Sequence, residues 1–304
     1  MSETGLRQAG GLRSDFRSGP GAPIAEQSGG FRPPLSGQPG IALRQEPARF
    51  DGRAETAPRT DGDSGPLPLR GRSPSGGGRA DGDALRTARG RGDQGGPCFS
   101  VEVAPNGYAW WYVDGISDDG QRAVSVIGFI GSVFSPWYAW SGRKDPENHV
   151  CINVATYGPG GRFTMTDRGR AALRRSDTEF EVGPSRMRWS NGKLIIDIDE
   201  ISSPPIVSRV RGRITVMPRA ISDVELVLDS TGSHIWRPFS PISDIRVELD
   251  APGWKWDGHG YLDANFGNRA LEQDFRFWTW GRFPTRSGAT CFYDAERRDG
   301  THLE

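Results

Sequence analysis

The chain has 304 residues, with 38 Lys and Arg against 38 Asp and Glu and a pI of about 6.9. That balance gives no basic excess with which to hold nucleic acid, and the three cysteines, Cys98, Cys151 and Cys291, form no Cys-x-x-Cys pair and suit neither a structural zinc site nor a disulfide framework. The longest apolar run, AVSVIGFIGSVF (123–134), is shorter than the ~20 apolar residues that a spanning helix needs, so no transmembrane anchor is expected.

Residues 1–96 contain no Trp, Tyr or Cys and abound in Gly, Pro, Ser, Arg and Asp. Such a stretch cannot bury enough apolar surface to offset the entropy of ordering, so it is predicted to be a disordered tail. It also lacks the apolar core of a signal peptide. All ten Trp follow Gly96, so the folded part is predicted to begin at Pro97.

From there the signals are those of β-structure. NGYAWWYVDGISDDGQRAVSVIGFIG (106–131) reads as strand, Asp-Asp-Gly turn, strand. HVCINVATYGPGGRFTMTDR (149–168) gives two more strands about a glycine-rich turn, and RGRAALRRSDTEF (168–180) predicts one or two helical turns. In SRMRWSNGKLIIDIDE (185–200), Asn191-Gly192 between two alternating runs is the strongest short hairpin signal. Strands are then predicted in 208–218, 222–229, 244–250, 259–267, 274–283 and 289–300. In FRFWTWGRF, alternation puts Phe275, Phe277 and Thr279 on one face and Arg276, Trp278 and Trp280 on the other, so neither face is a simple wet exterior. Many short antiparallel strands with close turns predict an all-β sandwich or barrel.

DGHGYLDANFGN (257–268) holds the densest polar constellation. In a strand, His259, Tyr261 and Asp263 point to one face, just after Trp254 and Trp256. Asp263, followed by Asn265 and Gly267, also has the pattern of a turn carboxylate that accepts from backbone amides. His259 reads either as a working histidine or as a satisfied barrel histidine. Trp110, Trp111, Trp137 and Trp140 read as barrel core or lining, and GRKDPENH (142–149) reads as a polar loop rather than a metal site.

Three stretches together resemble one family. FIGSVFSPWYAWSGRKDPENHVCINVATYG (129–158), MRWSNGKLIIDIDE (187–200) and GHGYLDANFGNRALEQDFRFWTWGRF (258–283) are similar to successive blocks of the carotenoid 1,2-hydratases, also called hydroxyneurosporene synthases. The resemblance runs from about Pro97 to the end. It implies two tandem lipocalin-like β-barrel units, at 97–230 and 231–304, the second incomplete because family members usually continue past CFYDAERRDG. It also implies a cofactor-free, metal-free lyase of photosynthetic bacteria that adds water to the terminal C1–C2 double bond of acyclic carotenoids such as neurosporene and lycopene. The partners implied are the carotenoid and water, with no nucleic acid. The location implied is cytoplasmic, at the surface of the intracytoplasmic membrane.

Hydrating a trisubstituted alkene is a proton-transfer problem. A carboxyl kept neutral by an apolar pocket protonates C2, π faces steady the tertiary cation at C1, and an acceptor takes a proton from the attacking water. The family's Gly-Tyr-x-Asp motif stands here as GYLD, which makes Asp263 the expected acid and Tyr261 its partner on the same face. His234, in TGSHIWRPF, matches the family's other functional histidine. Trp256 is the expected cation-facing aromatic, with Trp254, His259 and Trp278 expected to bind substrate. The alternative is a lipocalin-like carrier that binds a carotenoid or another lipid without chemistry. A structural or export protein with the same barrels should lack the SVFSPWYAWSGR block, which is present.

Overall fold

The computed structural model describes residues 95–285 and 288–303. All but the last two residues of the predicted tail lie outside the described residues. Phe99 and Val101 already belong to the core, and the Trp111 indole donates to the Pro97 carbonyl at 3.1 Å.

The chain is all-β. Its strands are β1 (Tyr108–Ser117), β2 (Ala123–Ile130), β3 (Val150–Tyr157), β4 (Phe163–Thr164), β5 (Leu173–Arg175), β6 (Glu179–Val182), β7 (Ser185–Ser190) and β8 (Lys193–Ile201). They continue as β9 (Arg209–Pro218), β10 (Leu226–Val227), β11 (His234–Ala251), β12 (Trp254–Gly267), β13 (Phe275–Thr285), β14 (Gly288–Arg297) and β15 (His302–Leu303). One 12-stranded sheet runs β4-β3-β2-β1-β12-β11-β9-β8-β7-β6-β5, with β10 on β11, and curls into a half-barrel. A second, 3-stranded sheet is ordered β13-β14-β15. The ladder of the large sheet crosses residue 230: β1 pairs with β12 over its whole length, Tyr108 opposite Gly267 and Ser117 opposite Gly258.

Local signals explain most of these elements. Asn191 and Gly192 both have positive φ, 51° and 70°, as a two-residue turn matched to strand twist requires. The helix predicted in 168–180 is only a short 3-10 turn, Arg170–Ala172, before β5 and β6. β11 starts ten residues earlier than the strand predicted at 244–250. Pro238 and Pro241 make 234–243 look broken, but the register shifts between Arg237 and Ser240 and between Ser240 and Ser243 are bulges that accommodate both prolines.

The large sheet buries two cores, one on each face. Trp111, Val126, Ile152, Ile196, Val247 and Leu262 lie in the first, inside the curl. Tyr108, Trp110, Phe129, Trp236 and Tyr261 lie in the second, together with Trp280 and Ala295 of the small sheet, which roofs them. This is why β2 is buried at every residue and reads as an unbroken apolar run. β6, β7 and β8, with one wet face, alternate instead.

Candidate active site

The second core holds the polar groups. Three neighbouring strands line up in rows along it: Tyr108, Gly267 and His234 form one row, and Trp110, Asn265 and Trp236 the next. Tyr112 stands opposite Asp263, and Asp114 opposite Tyr261.

Asp263 is 3% exposed. Its Oδ2 accepts from the Trp236 indole N–H at 2.9 Å and from the Tyr261 hydroxyl at 2.9 Å, while Oδ1 receives only a long contact, 3.4 Å, from the Asn265 amide. Burial pushes the carboxyl up to about 7; the two hydrogen bonds oppose that rise and the nearby Asp114 charge adds to it. Two donors converge on one oxygen, so the other is where a proton resides in the neutral acid. Aromatic rings surround the group: Tyr261 lies 4.8 Å from Trp280 and 6.2 Å from Tyr112, and Trp236 lies 5.4 Å from Tyr293.

Beside this carboxyl is a second one with different partners. Asp114 is fully buried, but the Arg282 Nε donates to it at 2.8 Å and the Tyr112 hydroxyl at 3.3 Å. The guanidinium also reaches the His259 carbonyl at 3.3 Å and stands 5.7 Å from the centre of the Tyr261 ring. Among the described residues, Asp114 is ion-paired with Arg282 and Asp263 with no cation.

His234 is buried at the far end of the rows. Its Nδ1 lies 2.9 Å from the Tyr108 hydroxyl and its Nε2 lies 2.8 Å from Asp274 Oδ2. Burial lowers its basicity, and the Asp274 hydrogen bond opposes that.

The structure brings Asp263, Tyr261 and His234 to one face of one sheet, but not all the residues singled out with them. Trp254 and Trp256 alternate onto the opposite face of β12 and pack in or against the first core, with the Arg122 guanidinium 4.8 Å over Trp254. Trp256 therefore does not stand beside Asp263; the even positions of the strand point away from the odd ones. His259 shares the face of Tyr261, but its side chain is 63% exposed and 3.8 Å from Asp118, because that face runs out of the core into solvent. Trp278 is half-buried against the second core. Trp110 and Trp111 fall in opposite cores, whereas Trp137 and Trp140 are 61% and 78% exposed and lie 5.7 Å from one another.

The sequence reading passed over Trp236, although the same alternation that places His234 places Trp236 beside it on β11. It also passed over Trp280, Tyr112, Tyr108, Asp114, Arg282 and Asp274. Alternation in FRFWTWGRF assigns Trp280 a face; the others carry no local signal, since their partners are far away in the chain. Among the described residues, no three His, Cys, Asp or Glu side chains converge as metal ligands would.

Residues 126–304 match the family model described as "Carotenoid hydratase CrtC". The chain is similar to the acyclic carotenoid 1,2-hydratase of Cereibacter sphaeroides, 67% identical over 179 residues that cover 59% of this chain and 64% of that one. It is 58% identical over 178 residues to that of Rhodobacter capsulatus, covering 59% of this chain and 63% of that one. With the acyclic carotenoid 1,2-hydratase of Thiocapsa roseopersicina it shares 43% identity over 278 residues, 90% of this chain and 68% of the relative. The chain thus spans a little under two thirds of the first two relatives.

Proposed function

The chain belongs to the carotenoid hydratase family, and from that premise we propose that it adds water across the terminal C1–C2 double bond of an acyclic carotenoid, without a cofactor, to give a 1-hydroxy carotenoid. The observation that carries this reading is Asp263: a buried carboxyl pushed up to about 7, with no cation paired to it among the described residues and ringed by aromatic side chains. An alkene is a very weak base, so its acid must be protonated beforehand and held close. In this proposal Asp263 delivers its proton to C2 from Oδ1. Tyr261 and Trp236 hold Oδ2 and so aim the acid. The cation at C1 meets the π faces of this core, where Trp236, Trp280 and Trp110 take the part expected of Trp256. A carrier of a hydrocarbon would gain nothing by burying a neutral acid, since its polar surface costs free energy to desolvate.

The test is turnover of lycopene or neurosporene in detergent or vesicles with no added cofactor. The product should gain the mass of one water and, in heavy water, one deuterium at C2. Because only the protonated acid works, kcat/KM should fall as pH rises through about 7. The Trp236 hydrogen bond stabilises the ionised form, so Trp236→Phe should move that limb to higher pH. A limb that stays in place in Trp236→Phe, or runs in the opposite sense, refutes the assignment of the acid.

The substrate lives in lipid, and membrane contact is part of the same proposal. No helix among the described residues is long and apolar enough to cross a bilayer. The short helix Pro136–Trp140 instead turns Trp137 and Trp140 outward, and indoles of this kind settle at the water–lipid boundary. We place the protein at the cytoplasmic surface of the membrane. Trp137→Ser combined with Trp140→Ser should lower co-sedimentation with lipid vesicles several-fold while detergent-solubilised substrate is still hydrated. Undiminished sedimentation of the double variant would remove these two residues from the contact.

A further inference from the structure

We propose that the proton of the attacking water leaves through a relay of three residues, in which Tyr108 touches the water, His234 receives the proton through Tyr108, and Asp274 positions the imidazole. This rests on the hydratase reading above. A histidine that takes a proton from water directly must offer a free ring nitrogen, and His234 offers none: Nδ1 faces the Tyr108 hydroxyl at 2.9 Å and Nε2 faces Asp274 Oδ2 at 2.8 Å. The Asp274 carboxylate only accepts, so Nε2 carries the hydrogen and Nδ1 is the lone pair to which Tyr108 donates. The Tyr108 oxygen keeps acceptor capacity for a water.

The surroundings hold this arrangement from every side. The His234 backbone N–H donates to Asp229 Oδ1 at 2.8 Å, Phe275 packs edge-on at 5.0 Å, and Arg269 lies 3.4 Å from the other oxygen of Asp274. The Tyr108 ring stacks on Trp110 at 4.8 Å. It also lies over Gly267, its partner and that of His234 in the ladder; a Cβ there would sit 2.3 Å from the ring and 2.9 Å from its hydroxyl oxygen. The glycine is thus the seat of the tyrosine, a purpose for the last glycine of DANFG that the hairpin itself does not require.

Spacing along the sheet suits the two ends of the reaction. Gly267 is four residues beyond Asp263, so Tyr108 and the acid stand ~13 Å apart along the backbone. The row between carries Trp110, Asn265 and Trp236, whose two indoles would face the alkene. The step balances. Asp263 gives a proton to C2. A water oxygen bonds to C1 and loses a proton to Tyr108, as the tyrosine's own proton passes to Nδ1. An imidazolium paired with Asp274 and an ionised Asp263 remain, and solvent exchange returns them to the starting state. A protonated alcohol is strongly acidic, so even a histidine weakened by burial accepts its proton.

The relay is tested in heavy water with neurosporene or lycopene, following both 1-hydroxy product and deuterium at C2 of the recovered alkene. Tyr108→Phe keeps the ring and its stacking. Its hydration kcat should fall by ~10²–10⁴-fold, the usual worth of general acid–base catalysis, with KM unchanged. Deuterium in recovered alkene should persist or rise, because the cation still forms and reverts. Asp274→Asn should shift the ratio of exchange to hydration in the same direction, and Asp274→Glu should restore part of it. If Tyr108→Phe binds no carotenoid, as read from the visible spectrum, Gly267→Ala, which displaces the hydroxyl without removing it, gives the same reading. Hydration at the parental rate in Tyr108→Phe overturns the relay alone, and so does a fall of exchange and hydration together. A parent protein that hydrates no acyclic carotenoid overturns the hydratase reading and the relay with it.

Discussion

Asp263→Asn lowers turnover by at least the ~10²–10⁴-fold that general acid–base catalysis typically supplies, while carotenoid binding, read from the shifted visible spectrum, persists. The pocket should survive the change. An asparagine oxygen in place of Oδ2 still accepts from Trp236 and Tyr261. Its amide nitrogen then needs an acceptor, and the buried Asn265 Oδ1, which has no hydrogen-bond partner among the described residues, supplies one when that amide turns over. What is lost is the proton, and a dry aromatic core offers an alkene no easy alternative source. Asp263→Glu should recover little, because one extra methylene moves the acid by about 1 Å, enough to cost about 10²-fold. Normal turnover by Asp263→Asn would show that the acid is elsewhere, with Tyr261 the next group to test.

Arg282→Met should be the most damaging single change to stability, at about 3–5 kcal/mol, because it strands a buried charge. Asp114 lies fully buried on β1, and its cation comes from β13 of the other sheet, so the pair also pins the small sheet over the second core. The cost lies in the uncompensated carboxylate more than in the lost attraction. Combining Asp114→Asn with Arg282→Met should therefore recover much of the stability lost by Arg282→Met alone. Urea unfolding of the parent, both single variants and the double variant measures this. A loss below about 1 kcal/mol in Arg282→Met would mean that the pair behaves like an exposed one, and additive losses in the double variant would remove the coupling.

The sequence by itself determined the class of the fold and, through its resemblance to the hydratases, suggested the chemistry proposed above. Alternation marked the half-exposed strands β7 and β8, Asn191-Gly192 marked their hairpin, and the unbroken run of β2 marked a strand without a wet face, whereas β6 fell where helical turns were expected. The resemblance of GYLD and TGSHIWRPF to motifs of the family singled out Asp263, Tyr261 and His234, and a strand of period two keeps Tyr261 and Asp263 on one face wherever the strand is placed. The same rule, applied strictly, also separates Trp254 and Trp256 from Asp263 and places Trp236 beside His234.

Only the tertiary structure decided which face is roofed and which residues meet across it. His259 obeys the alternation of its strand yet stands in solvent, because the roof ends before reaching it. Asp114 and Arg282 are 168 residues apart, Tyr108 and His234 are 126 apart, and His234 and Asp274 are 40 apart. Such pairs leave no mark on the residues around them. They are fixed by the register of β1 on β12 and by the docking of the small sheet, both of which depend on burying a continuous apolar surface rather than on any local preference. Periodicity assigns a side chain to a face; burial of that face against a distant part of the chain decides whether it is enclosed with partners or solvated.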